Sequence, residues 1–401
     1  MQTAIKPARI QSIDALRGFA LAGVAIVHML EQYLAGAPPQ GLMDEINSLP
    51  DQIVQGLVFF LFSGKFYAIF SILFGLSFSI QMDSASKREE DFSLKFLWRA
   101  ILLLMIGYVH QLFYRGDILT IYAMLAPFLI PFHRLDKKWV LFAAGFFFLS
   151  VPRFITFFAI GNGPLFGLEE GWSTPAEVAY LEVIRFGSIT EVFQENAIYG
   201  MKTKMNFQLL PMGRFFYTFG YFLLGLWLGK MNIFRQLEQY KSLIIKVLAW
   251  SAGAWLLSAI LGGVLFSQSP QPVDFSAFMH IFAYNFIDMV NLAQTIMTIC
   301  AFLLLYLSPK WQGRLDFFAP YGRMALTNYI GQSLIGTFLF FGWGLGMMGH
   351  IRSLYIFIIA IVLIALQTIV SKYWLKYFKY GPLEWLWRSA TYLKWQPLRK
   401  E

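Results

Sequence analysis

The sequence predicts an all-α, polytopic integral membrane bundle of about ten transmembrane helices with both termini in the cytoplasm, and three observations predict it. Of the 401 residues, 57% are apolar and only 14% charged, whereas a soluble domain of that size needs far more polar surface. Apolar runs of 17 or more residues recur along the chain, each long enough to cross a hydrocarbon core of roughly 30 Å at 1.5 Å per residue. Lys and Arg are biased to alternate connecting segments, which hold 24 of the 32, as expected of the cytoplasmic side of short loops.

In order, the spans are expected at 14–34, 56–82, 94–113, 117–133, 138–160, 213–230, 243–266, 284–308, 323–346 and 352–372. This divides the chain into an N-terminal five-span half (1–160), an extracytoplasmic loop or cap (161–212), a C-terminal five-span half (213–372) and a cytoplasmic amphipathic tail (373–401). The first run begins near Asp14, lacks a small-residue cleavage site and is followed by many similar runs, so it reads as a retained span rather than a signal peptide. The net charge of +9 is distributed as expected for a lipid bilayer surface and not for nucleic acid. Cys300 is the lone cysteine, which excludes a disulfide framework, and the five histidines are scattered without ligand spacing, so no metal site is expected. An inverted duplication of two five-span halves is conceivable, but the halves show no alignable repeat. Whether the chain works alone or as a homodimer is left open.

Ionisable groups inside a bilayer cost a few kcal/mol even on lenient scales, so they usually face a cavity or a partner. Four constellations meet that description. In the first, Asp14 suits a helix start and Arg17 lies three residues on, within pairing reach; they either cap the span or place Arg17 at a cytoplasmic entrance for an anionic ligand. His28 lies eleven residues beyond Arg17, about 16 Å along the helix and so near the outer face. The second is Lys65, inside an apolar run just after Ser63-Gly64, which is expected to break the helix. Lys65 either snorkels outward or lines a site as a fixed charge.

The third is GYVHQLFYRGDILTIYA, which joins two spans through a short outer turn and gathers His110, Arg115, Asp117 and Tyr122. A histidine held in one tautomer by a carboxylate meets the needs of a general base, and Tyr122 can donate to a developing oxyanion. The plainer alternative is a rigid turn stapled by an Arg115–Asp117 pair. The fourth comprises Asn285, Asp288, Asn291 and Gln294, recurring every three residues in the eighth span, with Asn328 and Gln332 one turn apart in the ninth. Asp288 needs a partner there, with Lys65 or His110 as candidates. Outside the spans, Glu169, Glu170, Glu177, Glu182, Glu191 and Glu195 face Arg185, Lys202 and Lys204 in the cap. The tail interleaves Trp385, Trp387 and Trp395 with basic residues like a helix lying along headgroups, and Glu384 and Arg388 can pair one turn apart.

The segments IDALRGFALAG, GKFYAIFSILFGLSF, GYVHQLFYRGDILTIYA, GRMALTNYIGQSL and YGPLEWLWRSATY, in that order over nearly the whole chain, resemble the YeiB-like family of bacterial inner-membrane proteins, whose C-terminal half is a domain of unknown function. The sequence departs from that pattern at His28, where an Asn or another polar residue is expected. More distantly the family is similar to transmembrane acyltransferases such as heparan-glucosaminide acetyltransferase. That resemblance implies a multi-pass protein of the bacterial cytoplasmic (inner) membrane, with acyl-CoA (acetyl-CoA) as co-substrate and an extracytoplasmic glycan or lipid acceptor. It places His110 as base with Asp117 and Tyr122 in support. Arg17 and Arg323 stand at inner ends of spans for donor binding, with Asp14, Lys65, Arg115, Asp288, Asn291, Asn328 and Gln332 lining the substrate path. The competing expectation is a transporter or flippase for a small polar or lipid-linked substrate, built on Lys65, Asp288 and the Asn/Gln file at the midplane.

Overall fold

The computed structural model describes residues 10–39, 41–43, 46–161, 166, 174–209, 213–269 and 277–400; Glu169 and Glu170 of the acidic loop lie outside them. The first half contains α1 (Gln11–Leu30), α2 (Leu49–Leu61), α3 (Phe66–Ser86), α4 (Ser93–Phe113), α5 (Leu119–Leu125), α6 (Leu129–His133), α7 (Lys137–Phe148) and α8 (Val151–Ile160). Then come α9 (Pro175–Phe186), α10 (Ile189–Glu195) and α11 (Met201–Leu209), which form the helical cap. The second half holds α12 (Arg214–Lys230), α13 (Leu237–Gln268), α14 (Phe278–Tyr306), α15 (Pro309–Leu315), α16 (Ala319–Arg323), α17 (Ala325–Phe340), α18 (Ser353–Tyr377) and the tail helix α19 (Pro382–Thr391). An all-α helical bundle is thus what the chain forms.

Among the described residues, six segments are long and apolar enough to cross a membrane: α1, the joined α2–α3, α4, α13, α14 and α18. The pair α7–α8 makes a seventh if its 50° bend is one broken span. The other three expected spans fall on shorter helices: Leu119–His133, α12 with 17 residues and α17 with 16. Each interruption has a local cause. Gly64 adopts φ +78° between α2 and α3, where Ser63-Gly64 predicted a break. Pro127 and Pro131 divide the fourth expected span. Ser150 sits at φ +57° ahead of Pro152 where α8 departs from α7.

The bundle is organised around α1, 78% of whose apolar window is buried. Gly18 and Gly322 allow it to touch α16 backbone to backbone: a Cβ on Gly18 would lie 2.0 Å from the Phe318 carbonyl oxygen, and one on Gly322 2.0 Å from that of Asp14. Small residues permit such approaches where lipid supplies no hydrophobic drive for helix pairing. The contact carries the neighbouring Arg17 and Arg323 to one cavity. By contrast α13 packs chiefly on α14 and is 17% buried; its buried residues are Ile244, Ser251, Ser258 and Gly262, a narrow seam that leaves the other faces to lipid.

Candidate functional site

A cavity of about 280 Å³ runs between α1, α3, α4, α5 and α17. Along α3 its lining extends from Phe70 to Gln81, eleven residues or about 16 Å of helix. One end is cationic, with Arg17, Arg99 and Arg323 beside Gln81, Glu384 and Trp387; the other is formed by Ile118, Leu119, Tyr122 and Tyr329. Arg17 is aimed by Asp14, whose carboxylate accepts from its Nη1 at 3.0 Å, and by Ser77 Oγ at 3.0 Å.

Next to Tyr329 lies a buried polar group. The turn after α4 brings Asp117 back to His110, where Nδ1 and Oδ1 are 2.8 Å apart, and both side chains are buried. Asp117 caps α5 as well, accepting from the backbone N–H of Leu119 at 3.1 Å and Thr120 at 2.9 Å. With Nδ1 held, Nε2 is the nitrogen left over; it is buried and makes no hydrogen bond among the described residues. The His110 ring lies 5.0 Å from that of Tyr329. His28 belongs to the same chamber, 5.1 Å from Tyr114 and 5.6 Å from Tyr33.

Three neighbours arrive from the cap and were not singled out as site residues in the sequence. Lys204 donates to Thr120 Oγ1 at 2.6 Å and to Gln111 Oε1, and stands 3.8 Å from the Asp117 carboxylate. Burial brings its ammonium down to about 8, against the opposing pull of Asp117. Glu177 takes the place expected for Asp117: Arg115 donates Nη1 to both of its oxygens at 3.1 Å and stacks 4.1 Å over the Tyr180 ring. The expected Arg115–Asp117 staple is therefore corrected to Arg115–Glu177, which frees Asp117 for His110. Asn196, in the π-turn between α10 and α11, ties the cap to α4 by donating to the Leu112 carbonyl at 3.0 Å.

Other predicted residues fall elsewhere. The Tyr122 hydroxyl is bound to Ser71 Oγ at 2.6 Å and the Tyr67 carbonyl at 3.2 Å, so its ring lines the cavity while its O–H is already engaged. Asn328 donates to the Tyr321 carbonyl at 3.1 Å and Ser371 Oγ at 2.9 Å, and Gln332 accepts from Tyr321 at 3.0 Å; these lock α16, α17 and α18 together. Asp288 pairs with Arg153 at 2.5 Å, not with Lys65 or His110, because the bend at Ser150 swings α8 against α14. Lys65 is buried and donates to the Phe59 carbonyl at 3.3 Å, and Asn291 abuts Gly64.

The tail also departs from expectation. Glu384 does not pair with Arg388; it caps α17, accepting from the Leu326 N–H at 2.7 Å, the Thr327 N–H at 3.1 Å and Thr327 Oγ1 at 2.6 Å. Its burial raises the carboxyl, against those hydrogen bonds. Trp387 donates to the Arg99 carbonyl at 3.1 Å and lies 4.2 Å under its guanidinium. Thus α19 docks on α4 and α17 at the cationic mouth, where a helix lying free along headgroups was expected.

These features define a multi-pass α-helical membrane protein with a cavity lined by Tyr329 and a buried histidine–carboxylate pair next to that tyrosine. Its C-terminal region, residues 228–394, matches the model of the family described as protein of unknown function (DUF418). The chain is 28% identical to the uncharacterized protein YxaH of Bacillus subtilis (strain 168), over 100% of this chain and 98% of that protein. It is 29% identical to an uncharacterized 39.9 kDa protein in the amylase 3′ region of Bacillus acidopullulyticus, over 98% of this chain and 97% of the relative. A stretch of 70 residues, 18% of each chain, is 49% identical to the uncharacterized protein YeiB of Escherichia coli (strain K12), so the YeiB-like resemblance holds.

Proposed function

We propose that this protein is an acyl-CoA-dependent transmembrane acyltransferase of the bacterial cytoplasmic membrane, moving an acyl group from a cytoplasmic donor to an extracytoplasmic glycan or lipid. One observation carries the reading: His110 Nε2, buried and without a hydrogen-bond partner among the described residues, belongs to a ring 5.0 Å from that of Tyr329, which lines one end of a cavity whose mouth holds Arg17, Arg99 and Arg323. A volume of about 280 Å³ is at the lower limit for a small-molecule pocket. It suits the acyl-pantetheine arm alone, leaving the nucleotide phosphates with the arginines, whose planar donors match oxyanions. The Lys and Arg bias supports a cytoplasmic position for that mouth.

In the reaction, His110 Nε2 takes the proton of the acceptor hydroxyl or amine as its oxygen or nitrogen attacks the thioester carbonyl. The tetrahedral intermediate collapses with cleavage of the C–S bond, and the departing thiolate recovers the proton from the imidazolium. Asp117 holds Nδ1–H and stabilises that imidazolium, as a carboxylate does behind a catalytic histidine. With the Tyr122 hydroxyl engaged, the oxyanion donor falls to Tyr329, whose O–H donates to no partner among the described residues while its oxygen accepts from the Ile118 N–H at 3.3 Å. The transporter reading has less support, because Asp288 is committed to Arg153. The test is release of free CoA from acetyl-CoA by purified protein supplied with cell-envelope fractions. Release that requires both the fractions and His110 supports the reading, and its absence in folded, correctly inserted preparations refutes it.

A further inference from the structure

Among the described residues, the cluster at the break between α2 and α3 brings three cations, Lys65, Arg153 and Arg214, near two carboxylates, Asp288 and Glu31. Lys65 immediately precedes α3, is 5% exposed and, among the described residues, makes no ion pair; its ammonium reaches only the Phe59 carbonyl. Arg214 opens α12, lies 5.0 Å over the Tyr67 ring and has a buried Nε with no hydrogen-bond partner among the described residues. The two cations are within electrostatic range of each other. They meet because α3 and α12 run parallel, with Gly75 against Phe222 and Gly229 against Ser79, so the positive ends of two helix dipoles add to the same corner. Arg153 is the third cation, its Nε 3.1 Å from where a Cβ on Gly213 would sit. Against these three stand Asp288, paired with Arg153 and also within range of Arg214, and Glu31, within range of Arg214. A buried cation beside a helix N-terminus is disfavoured on both counts unless an anion completes it.

We infer that a phosphoryl oxyanion binds here, between Lys65 Nζ and the Arg214 guanidinium, with the Asn291 amide beside Gly64 as a neutral donor. A lipid headgroup and a soluble phosphate supply the same chemistry. Phe59 and Phe60, 74% and 49% exposed on the adjacent end of α2, give a headgroup a lateral approach. The site is independent of the acyl-transfer reading, and its test uses no turnover.

The full chain, purified in a neutral detergent, is titrated with inorganic phosphate and with phosphatidylglycerol in mixed micelles, following the thermal midpoint, which rises when a ligand binds only the folded state. The expected result is a saturable rise with at least one probe. Lys65→Gln and Arg214→Gln should each weaken that Kd at least tenfold, whereas Lys394→Gln in the exposed tail leaves it unchanged. Without anion, the two glutamine variants should melt no lower than the parent, since each removes an uncompensated cation; this separates a ligand site from a purely structural lysine or arginine. If one variant fails to fold, the other and Lys65→Arg, which should stay within threefold of the parent, carry the comparison. A response to phosphatidylglycerol alone identifies the headgroup, and one to phosphate alone the soluble anion. No saturable shift with either probe, or unchanged affinity in the glutamine variants, overturns the inference.

Discussion

Replacing Asp117 by Asn isolates the role of the carboxylate, because Asn is nearly isosteric and its single amide oxygen, in the place of Oδ2, can still accept from the Thr120 N–H that caps α5. What it cannot reproduce is a pair of acceptor oxygens. If the amide oxygen stays on the cap, its NH₂ faces His110 Nδ1 across the 2.8 Å contact, and the imidazole must present a lone pair there. The ring proton then moves to Nε2, which removes the base. Loss of a positioned base or its correct tautomer costs on the order of 10²–10⁴ in turnover, equivalent to about 3–5 kcal/mol of transition-state stabilisation at about 1.4 kcal/mol per decade. The substitution also takes a charge from beside Lys204, 3.8 Å away, and breaking a buried pair destabilises by about 3–5 kcal/mol. The assay is therefore acyl-CoA consumption in vesicles matched for folded protein, with donor binding measured separately. Turnover within threefold of the parent at equal folded protein would refute the tautomer argument.

Three further outcomes follow from the same geometry. Arg17→Ala should raise KM for acyl-CoA by about tenfold while sparing turnover at saturation, since Arg17 sits at the mouth and away from the reacting atoms; steady-state kinetics decide it. Lys204, depressed to about 8 by burial, binds its proton less well folded than unfolded. The fold should therefore gain stability as pH rises from about 8 towards the free lysine value of about 10.4. Turnover should fall over the same interval as Asp117 loses its cation, and Lys204→Met should abolish that alkaline limb. Gly18→Leu should prevent assembly of the bundle, because the would-be Cβ already lies 2.0 Å from the Phe318 carbonyl; folded yield in detergent reports it.

How much of this was legible in the sequence depends on the distance over which each contact acts. The expected spans coincide with helical segments because apolar runs and their Pro and Gly interruptions are local signals, as at Gly64 and Pro152. His110 and Asp117 were legible for the same reason, being seven residues apart across one turn. Lys204 was read only as a cap charge, yet it reaches Gln111 across 93 positions, and Arg153 meets Asp288 across 135. Partners so far apart leave no periodicity to detect. Glu384 was misassigned to Arg388 because i,i+4 spacing is visible in a sequence, whereas the open N–H groups at the start of α17, 57 positions away, are not. Tyr122 looked like an oxyanion donor until Ser71, on another helix, was seen to occupy its hydroxyl.

The most direct measurement is a single-turnover reaction of purified protein with radiolabelled acetyl-CoA and cell-envelope acceptor, comparing the parent with His110→Ala at matched folded protein. The parent should transfer label to the acceptor and release free CoA in equal amounts. His110→Ala should bind the donor with unchanged affinity and transfer label on the order of 10²–10⁴ more slowly. Equal rates in the two proteins would contradict a base at His110 and, with it, the acyl-transfer function built on that residue.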